Sequence, residues 1–67
     1  MKCYGIVIEY NGVYGIIKGI DEKDYTLLDK NVIDQNIKKG DHVIFEVEEV
    51  NKFGNVTNIA RFVKLKD

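Results

Sequence analysis

Apolar and polar residues alternate along much of this chain with the two-residue period of a β-strand. The clearest case is residues 42–48, where Val43, Phe45 and Val47 are separated by polar residues, apart from Ile44. Successive side chains of a strand point to opposite faces, so this pattern predicts a strand with one buried face.

Four further segments are rich in β-branched and aromatic residues, which favour strands. They are Tyr4–Tyr10, Val13–Ile20, Tyr25–Asp29 and Val56–Leu65. Between the first two, Asn11-Gly12 predicts a hairpin turn, because both residues tolerate positive φ. Residues 30–39 contain few apolar side chains and predict at most one or two helical turns.

These elements predict an all-β fold in a single domain over residues 1–67. Five short strands bury a core best by closing into a barrel, which also removes exposed sheet edges. We therefore expect a small five-stranded OB-fold barrel with a short helical turn between strands 3 and 4. An SH3-like barrel is the alternative architecture.

The register of the first hairpin decides which side chains share a face of the sheet. A two-residue loop would place Tyr14 opposite Glu9, whereas a three-residue loop would place it opposite Tyr10. We expect the three-residue loop, because it keeps the Glu9 carboxylate off the face that carries Tyr10 and Tyr14. It also pairs Ile8 with Ile16.

This register predicts which side chains point into the barrel and which point out. The inner set comprises Val7, Ile17, Leu27, Val43, Phe45, Val47 and Ile59. The outer set comprises Ile6, Ile8, Tyr10, Tyr14, Ile16, Thr26 and Leu28, with Lys18 at its edge. An apolar outer surface of this extent is typical of an interaction site.

Several short motifs follow one another in a distinctive order. They are Gly5-Ile6-Val7 with Tyr10-Asn11, Tyr14-Gly15-Ile16-Ile17, Asp24-Tyr25 followed by Thr26-Leu27-Leu28-Asp29, Gly40-Asp41-His42-Val43-Ile44-Phe45-Glu46, and Gly54 with Asn58-Ile59. From Gly5 to Ile59 this order resembles the bacterial cold-shock domain family. The resemblance implies binding of single-stranded RNA or DNA, by aromatic stacking on strands 2 and 3 with nearby lysines on phosphates.

The chain departs from the family at several stacking positions. Glu9 replaces a tryptophan, and Ile16 replaces the second aromatic residue of the first ribonucleoprotein motif. Thr26, Leu28 and Asp29 replace the Phe, His and Phe of the second motif. Because stacking contributes about 1–3 kcal/mol per base, these replacements imply much weaker binding than the family shows.

We therefore predict weak, largely sequence-independent binding of single-stranded RNA or DNA. Tyr10 and Tyr14 are expected to stack on bases, Ile16 and Leu28 to form an apolar floor, and Lys18 to contact phosphate. The alternative is a protein-interaction or self-associating module, such as a homodimer, that uses the same apolar face.

Charge and composition narrow these classes. The net charge of −1 predicts weak and strongly salt-dependent binding to phosphate. The chain has no serine, and its lone Cys3 has no neighbouring base, so we expect neither an enzyme nor a bound metal or cofactor. It has no apolar run long enough to cross a bilayer, so we expect a cytoplasmic protein without a membrane partner.

Three side chains that could be mistaken for site residues have simpler interpretations. Tyr25 is expected to plug the bottom of the barrel, and His42 is expected to be a solvated surface residue. Phe53, at the tip of a polar loop, either lies exposed or folds back onto the sheet, and folding back is favoured.

Overall fold

The computed structural model describes residues 2–34 and 36–66, apart from the side chain of Lys52. Within these residues five strands close into one barrel in the order β1-β2-β3-β5-β4. They are β1 (Lys2–Tyr10), β2 (Tyr14–Gly19), β3 (Asp24–Leu28), β4 (His42–Lys52) and β5 (Asn55–Leu65), with a 3-10 turn at Asp29–Asn31. The prediction of an all-β, OB-like barrel with a helical turn between strands 3 and 4 is confirmed. No helix in the described part of the chain is long and apolar enough to span a membrane.

The core fills the inside of the barrel with side chains from every strand. Its buried members are Val7, Ile17, Tyr25, Leu27, Ile37, Val43, Phe45, Ala60 and Val63. The rings of Tyr25 and Phe45 pack with their centroids 5.0 Å apart. Tyr25 is 3% exposed, which confirms that it belongs to the core.

Strands β1 and β2 pair in two registers that are separated by a bulge. Before the bulge Val7 pairs with Ile17, as the three-residue loop predicts. Beyond it Tyr10 pairs with Gly15, one position away from the expected partner Tyr14. The predicted pairing of the two tyrosines is therefore wrong.

The bulge lies at Ile8 and exchanges the faces of the residues that follow it. Ile8 is passed over in the ladder, and Glu9 takes the place opposite Ile16 that Ile8 was expected to occupy. The side chain of Tyr10 consequently packs against the core. The Glu9 carboxylate lies on the outer face instead, because a one-residue shift moves each side chain to the other side of a sheet.

The turn between β1 and β2 comprises the three residues Asn11-Gly12-Val13, the loop length that was predicted. Gly12 and Val13 form its centre, and the Asn11 N–H donates a 3.1 Å hydrogen bond to the Tyr14 carbonyl. The Asn11 side-chain oxygen accepts hydrogen bonds from the N–H groups of Val13 and Tyr14, both at 2.9 Å. Gly12 has a φ of 95°, which explains the need for glycine at this position.

A second irregularity changes the faces of β5. The register with β4 shifts near Phe62, whose φ is 54°. Ala60 and Val63, three positions apart, are both buried as a result. Ile59 was expected inside the barrel, but it is half-buried and pairs with Thr26 on the outer face.

The distal halves of β4 and β5 extend past the other strands as a hairpin. β1 pairs with β4 from His42 to Glu46, and the β3 ladder meets β5 at Ile59. The hairpin ends in a turn at Phe53 and Gly54, which both have positive φ, 53° and 83°. Phe53 is fully exposed, so the expectation that it folds back onto the sheet is wrong.

Candidate interaction surface

Four side chains on the outside of β2 and β3 form one continuous patch. Tyr14 pairs with Leu28, and Ile16 pairs with Thr26 two positions along, on the same face of the sheet. The Tyr14 side chain is 47% exposed, and the other three are half-buried. We call these four residues the β2–β3 face. It brings together three of the predicted site residues: Tyr14, Ile16 and Leu28.

Alternation along β2 explains why these side chains point outward. Gly15 and Ile17 are buried, and the residues beside them on the strand turn to the other side of the sheet. Lys18 is exposed on this outer side, next to Asp24 of β3. The sequence pattern therefore placed the β2 part of the surface correctly.

Lys18, the predicted phosphate contact, already has a carboxylate partner. Its Nζ lies 3.3 Å from Oδ1 of Asp24, and both side chains are about half exposed or more. An exposed ion pair of this kind contributes about 0–1 kcal/mol, so an arriving phosphate can replace the carboxylate at little cost. The lysine is nonetheless a weaker anion site than an unpaired one would be.

Tyr10 does not join the β2–β3 face. Its side chain is half-buried and packs against the core. This burial, and secondarily the negative charge of Asp29, raise the pKa of the Tyr10 hydroxyl. Of the two tyrosines predicted to stack on bases, the structure leaves only Tyr14 on the predicted surface.

Carboxylates border the outer face on two sides. Glu9 lies directly across from Ile16 on the β1 side. On the β5 side, Ile59 pairs with Glu48, whose Oε1 accepts a 2.9 Å hydrogen bond from Arg61. Arg61 balances one of the two carboxylates, so Glu9 is the charge that most directly opposes phosphate at this surface.

A groove on the outside of β1 was not anticipated as a site. Its volume is about 580 Å³. The residues that line it are Tyr4, Gly5, Ile6, Ile8, Lys18, Gly19, Ile20, His42 and Lys66. We call it the β1 groove. The sequence did place Ile6 and Ile8 on the outer side, but the pairing of β1 with β4 was needed to bring His42 and Lys66 beside them.

Across residues 2–34 and 36–66, no three His, Cys, Asp or Glu side chains converge as metal ligands. Neither a protein-family model nor a curated protein sequence matches this chain. The cold-shock resemblance therefore rests on the order of the motifs and on the barrel.

Proposed function

We propose that this protein is a cold-shock-like OB domain that binds single-stranded RNA or DNA weakly through the β2–β3 face. The observation that carries the proposal is the exposed Tyr14 beside Ile16 and Leu28. They lie on strands 2 and 3 of the barrel, the surface with which OB-folds bind oligonucleotides. A base would stack on the tyrosine ring and rest on the aliphatic side chains. Since every base has a π-face, sequence preference would be small.

The charge of the surface supports weak binding. One stacking ring supplies about 1–3 kcal/mol, Lys18 is paired with Asp24, and Glu9 opposes phosphate. We expect a dissociation constant on the order of 0.1–1 mM at low salt, rising further as salt is added. The free thiol of Cys3 is compatible with a cytoplasmic setting, which is part of the proposal.

The proposal is tested by titrating oligothymidine and oligouridine into the protein at low salt while amide chemical shifts are recorded. Saturable shifts are expected along β2 and β3 around Tyr14, Ile16 and Leu28, together with a change in tyrosine fluorescence. Added salt should reverse both signals. Unchanged spectra at protein concentrations near a millimolar would rule out nucleic-acid binding.

A protein-interaction or self-associating module on the same face is the second candidate. Glu9 on the outer face favours it, since a carboxylate beside an apolar patch suits a protein partner better than a phosphate chain. Light scattering over a range of concentrations tests self-association. A concentration-dependent mass that Tyr14→Lys abolishes supports it, and a strict monomer at every concentration refutes it.

A further inference from the structure

The β1 groove has the size and lining of a small-molecule site. Ligand pockets in proteins measure about 300–1,000 Å³ and are mostly apolar with a few placed polar groups. The groove, at about 580 Å³, lies within that range. Its apolar lining comes chiefly from Ile6, Ile8 and Ile20, with exposed fractions of 40%, 43% and 72%. The groove shares no residue with the β2–β3 face, and Lys18 lies at its edge nearest that face.

Basic residues line the groove on both sides of β1. Ile6 pairs with Lys18 on one side and with His42 on the other, so the three residues form one row across the sheet. Lys66 is fixed beside this row, because its N–H donates a 2.9 Å hydrogen bond to the His42 carbonyl. Among the described lining residues there is no carboxylate. A chain of net charge −1 thus carries a locally basic apolar groove.

Lys66 is the cation best placed to meet a ligand. Its Nζ lies 5.4 Å from the centroid of the Tyr4 ring, which also lines the groove. Contact with the ring holds the ammonium group over apolar surface rather than leaving it in bulk water. Lys18 is partly neutralised by Asp24, so Lys66 supplies most of the attraction for an anion.

From this charge complementarity we propose that the β1 groove binds a small organic carboxylate with an aliphatic body. The aliphatic chain lies over Ile6 and Ile8, and the carboxylate meets the ammonium group of Lys66. Burial of the chain provides the affinity, and the ion pair selects the anion over neutral and cationic analogues. The proposal is independent of nucleic-acid binding, because such a ligand carries neither base nor phosphate.

Octanoate, 1-octanol and octylammonium are suitable probes, since they share one alkyl chain and differ in charge. Each is titrated below its aggregation limit while amide chemical shifts are followed. Octanoate should give saturable shifts at Gly5, Ile6, Lys18 and Gly19, and the other two should bind at least about fivefold more weakly. Equal affinities for all three, or octanoate shifts that map elsewhere, would overturn the proposal. So would the absence of saturable shifts with octanoate.

Two pairs of variants make the test specific. Lys66→Ala should weaken octanoate binding by about twofold to fivefold, the loss of one partly exposed ion pair. Lys64→Ala removes the same charge outside the groove and should leave binding unchanged. Equal affinities of these two variants would refute the role of Lys66.

The second pair introduces a carboxylate. Ile8→Glu should abolish octanoate binding, because the new charge lies in the groove. Val56→Glu makes the same change on the β4–β5 hairpin, at a residue that is also exposed, and should have no effect. Dispersed amide spectra show that each variant is folded, and the lysine pair decides the matter if Ile8→Glu unfolds. Retained binding in folded Ile8→Glu would contradict the proposal.

Discussion

Gly15 lies directly opposite Tyr10 across β1 and β2, and the two backbones approach each other more closely than any side chain would permit. A Cβ added at Gly15 would lie 2.8 Å from the Cα of Tyr10 and would overlap the carbonyl oxygen of Glu9. This close approach accommodates the bulge that turns Tyr10 inward and Glu9 outward. Gly15, the second residue of β2, therefore permits the bulge that places the Glu9 carboxylate on the outer face.

Gly15→Ala should destabilise the protein by about 3 kcal/mol, the upper end of the cost of overpacking, since backbone atoms and not flexible side chains fill the space. Urea unfolding measures the change. Gly40→Ala is the control, because its Cβ meets nothing within 4 Å and only the positive φ of 93° is penalised, by about 1–2 kcal/mol. Equal stabilities of the two variants would contradict the role of the close approach.

Tyr14→Leu should lower the affinity for oligothymidine by about fivefold or more, because it removes the stacking ring from the β2–β3 face. Tyr4→Leu removes a tyrosine ring of similar but slightly lower exposure from the β1 groove and should leave that affinity unchanged. Parallel titrations at one salt concentration give both values. If the two variants lose affinity equally, the bases do not bind where we propose.

Glu9→Gln should strengthen binding to single strands by about twofold to fivefold, because it removes a charge that repels phosphate beside Ile16. The gain should shrink as salt is raised, since ions screen the repulsion. Glu49→Gln on the β4–β5 hairpin makes the same charge change away from the face. Affinity that rises equally in both variants would indicate an effect of net charge and not of position.

The hydrogen bond from the Tyr25 hydroxyl to Oδ2 of Asp21, 2.6 Å long, predicts a pH-dependent stability. This bond, and then that from the Lys23 N–H, lower the pKa of the Asp21 carboxyl. A carboxyl group whose pKa is lowered in the folded state stabilises the fold at pH values above its ordinary pKa, near 4. This contribution is lost as the pH falls through the folded-state pKa. The same hydrogen bond, with burial next, raises the pKa of Tyr25, so its contribution holds up to about pH 10 and is lost as the pH rises through the raised folded-state pKa.

Tyr25→Phe should therefore be less stable than the natural chain at pH 7, and the difference should narrow in acid below pH 4. Thermal unfolding of both proteins from pH 7 to pH 2 measures it. Tyr4→Phe, at an exposed tyrosine, should match the natural chain throughout. A difference for Tyr25→Phe that stays constant down to pH 2 would show that Asp21 is not its cause.

Phe53→Asn should stabilise the protein by about 1 kcal/mol. Phe53 and Gly54 both have positive φ, a turn that Asn-Gly favours and a bulky first residue does not. Phe53 is fully exposed, so its ring has no packing to lose. Phe53→Leu is the matched control, because it keeps an unfavourable side chain at the same φ. The interpretation fails if the two variants have equal midpoints in urea.

The sequence was sufficient to predict the strands and most of the core, because an uninterrupted alternation of apolar and polar residues identifies a half-buried strand. Val43 and Phe45 are buried as predicted, and Tyr25 fills the barrel. Alternation fails where a bulge adds a residue, and the bulges at Ile8 and Phe62 lack the glycine that often marks one. These two shifts account for the incorrect predictions at Tyr10 and Ile59.

The outer surface was predictable from the sequence where it is formed by strands that follow one another along the chain. Tyr14, Ile16 and Leu28 lie together because β2 and β3 are adjacent in sequence and regularly paired. The β1 groove depends on His42 and Lys66, which reach β1 only through the pairing of distant strands. Local patterns contain no information about such long-range contacts, so the groove had to be seen in the structure.

The barrel closes along a seam between β3 and β5 that the Val32–Val63 bridge extends beyond the strands. In the described part of the chain, Thr26–Ile59 is the only ladder pair between β3 and β5, while the other junctions are longer. Separation of β3 from β5 would convert the barrel into an open sheet in the order β3-β2-β1-β4-β5. Its two unpaired edges, on β3 and β5, are the edges that pair with each other in the closed barrel. Head-to-tail addition of such sheets leads to fibres, so aggregation at high concentration should begin by local opening at this seam, well before global unfolding.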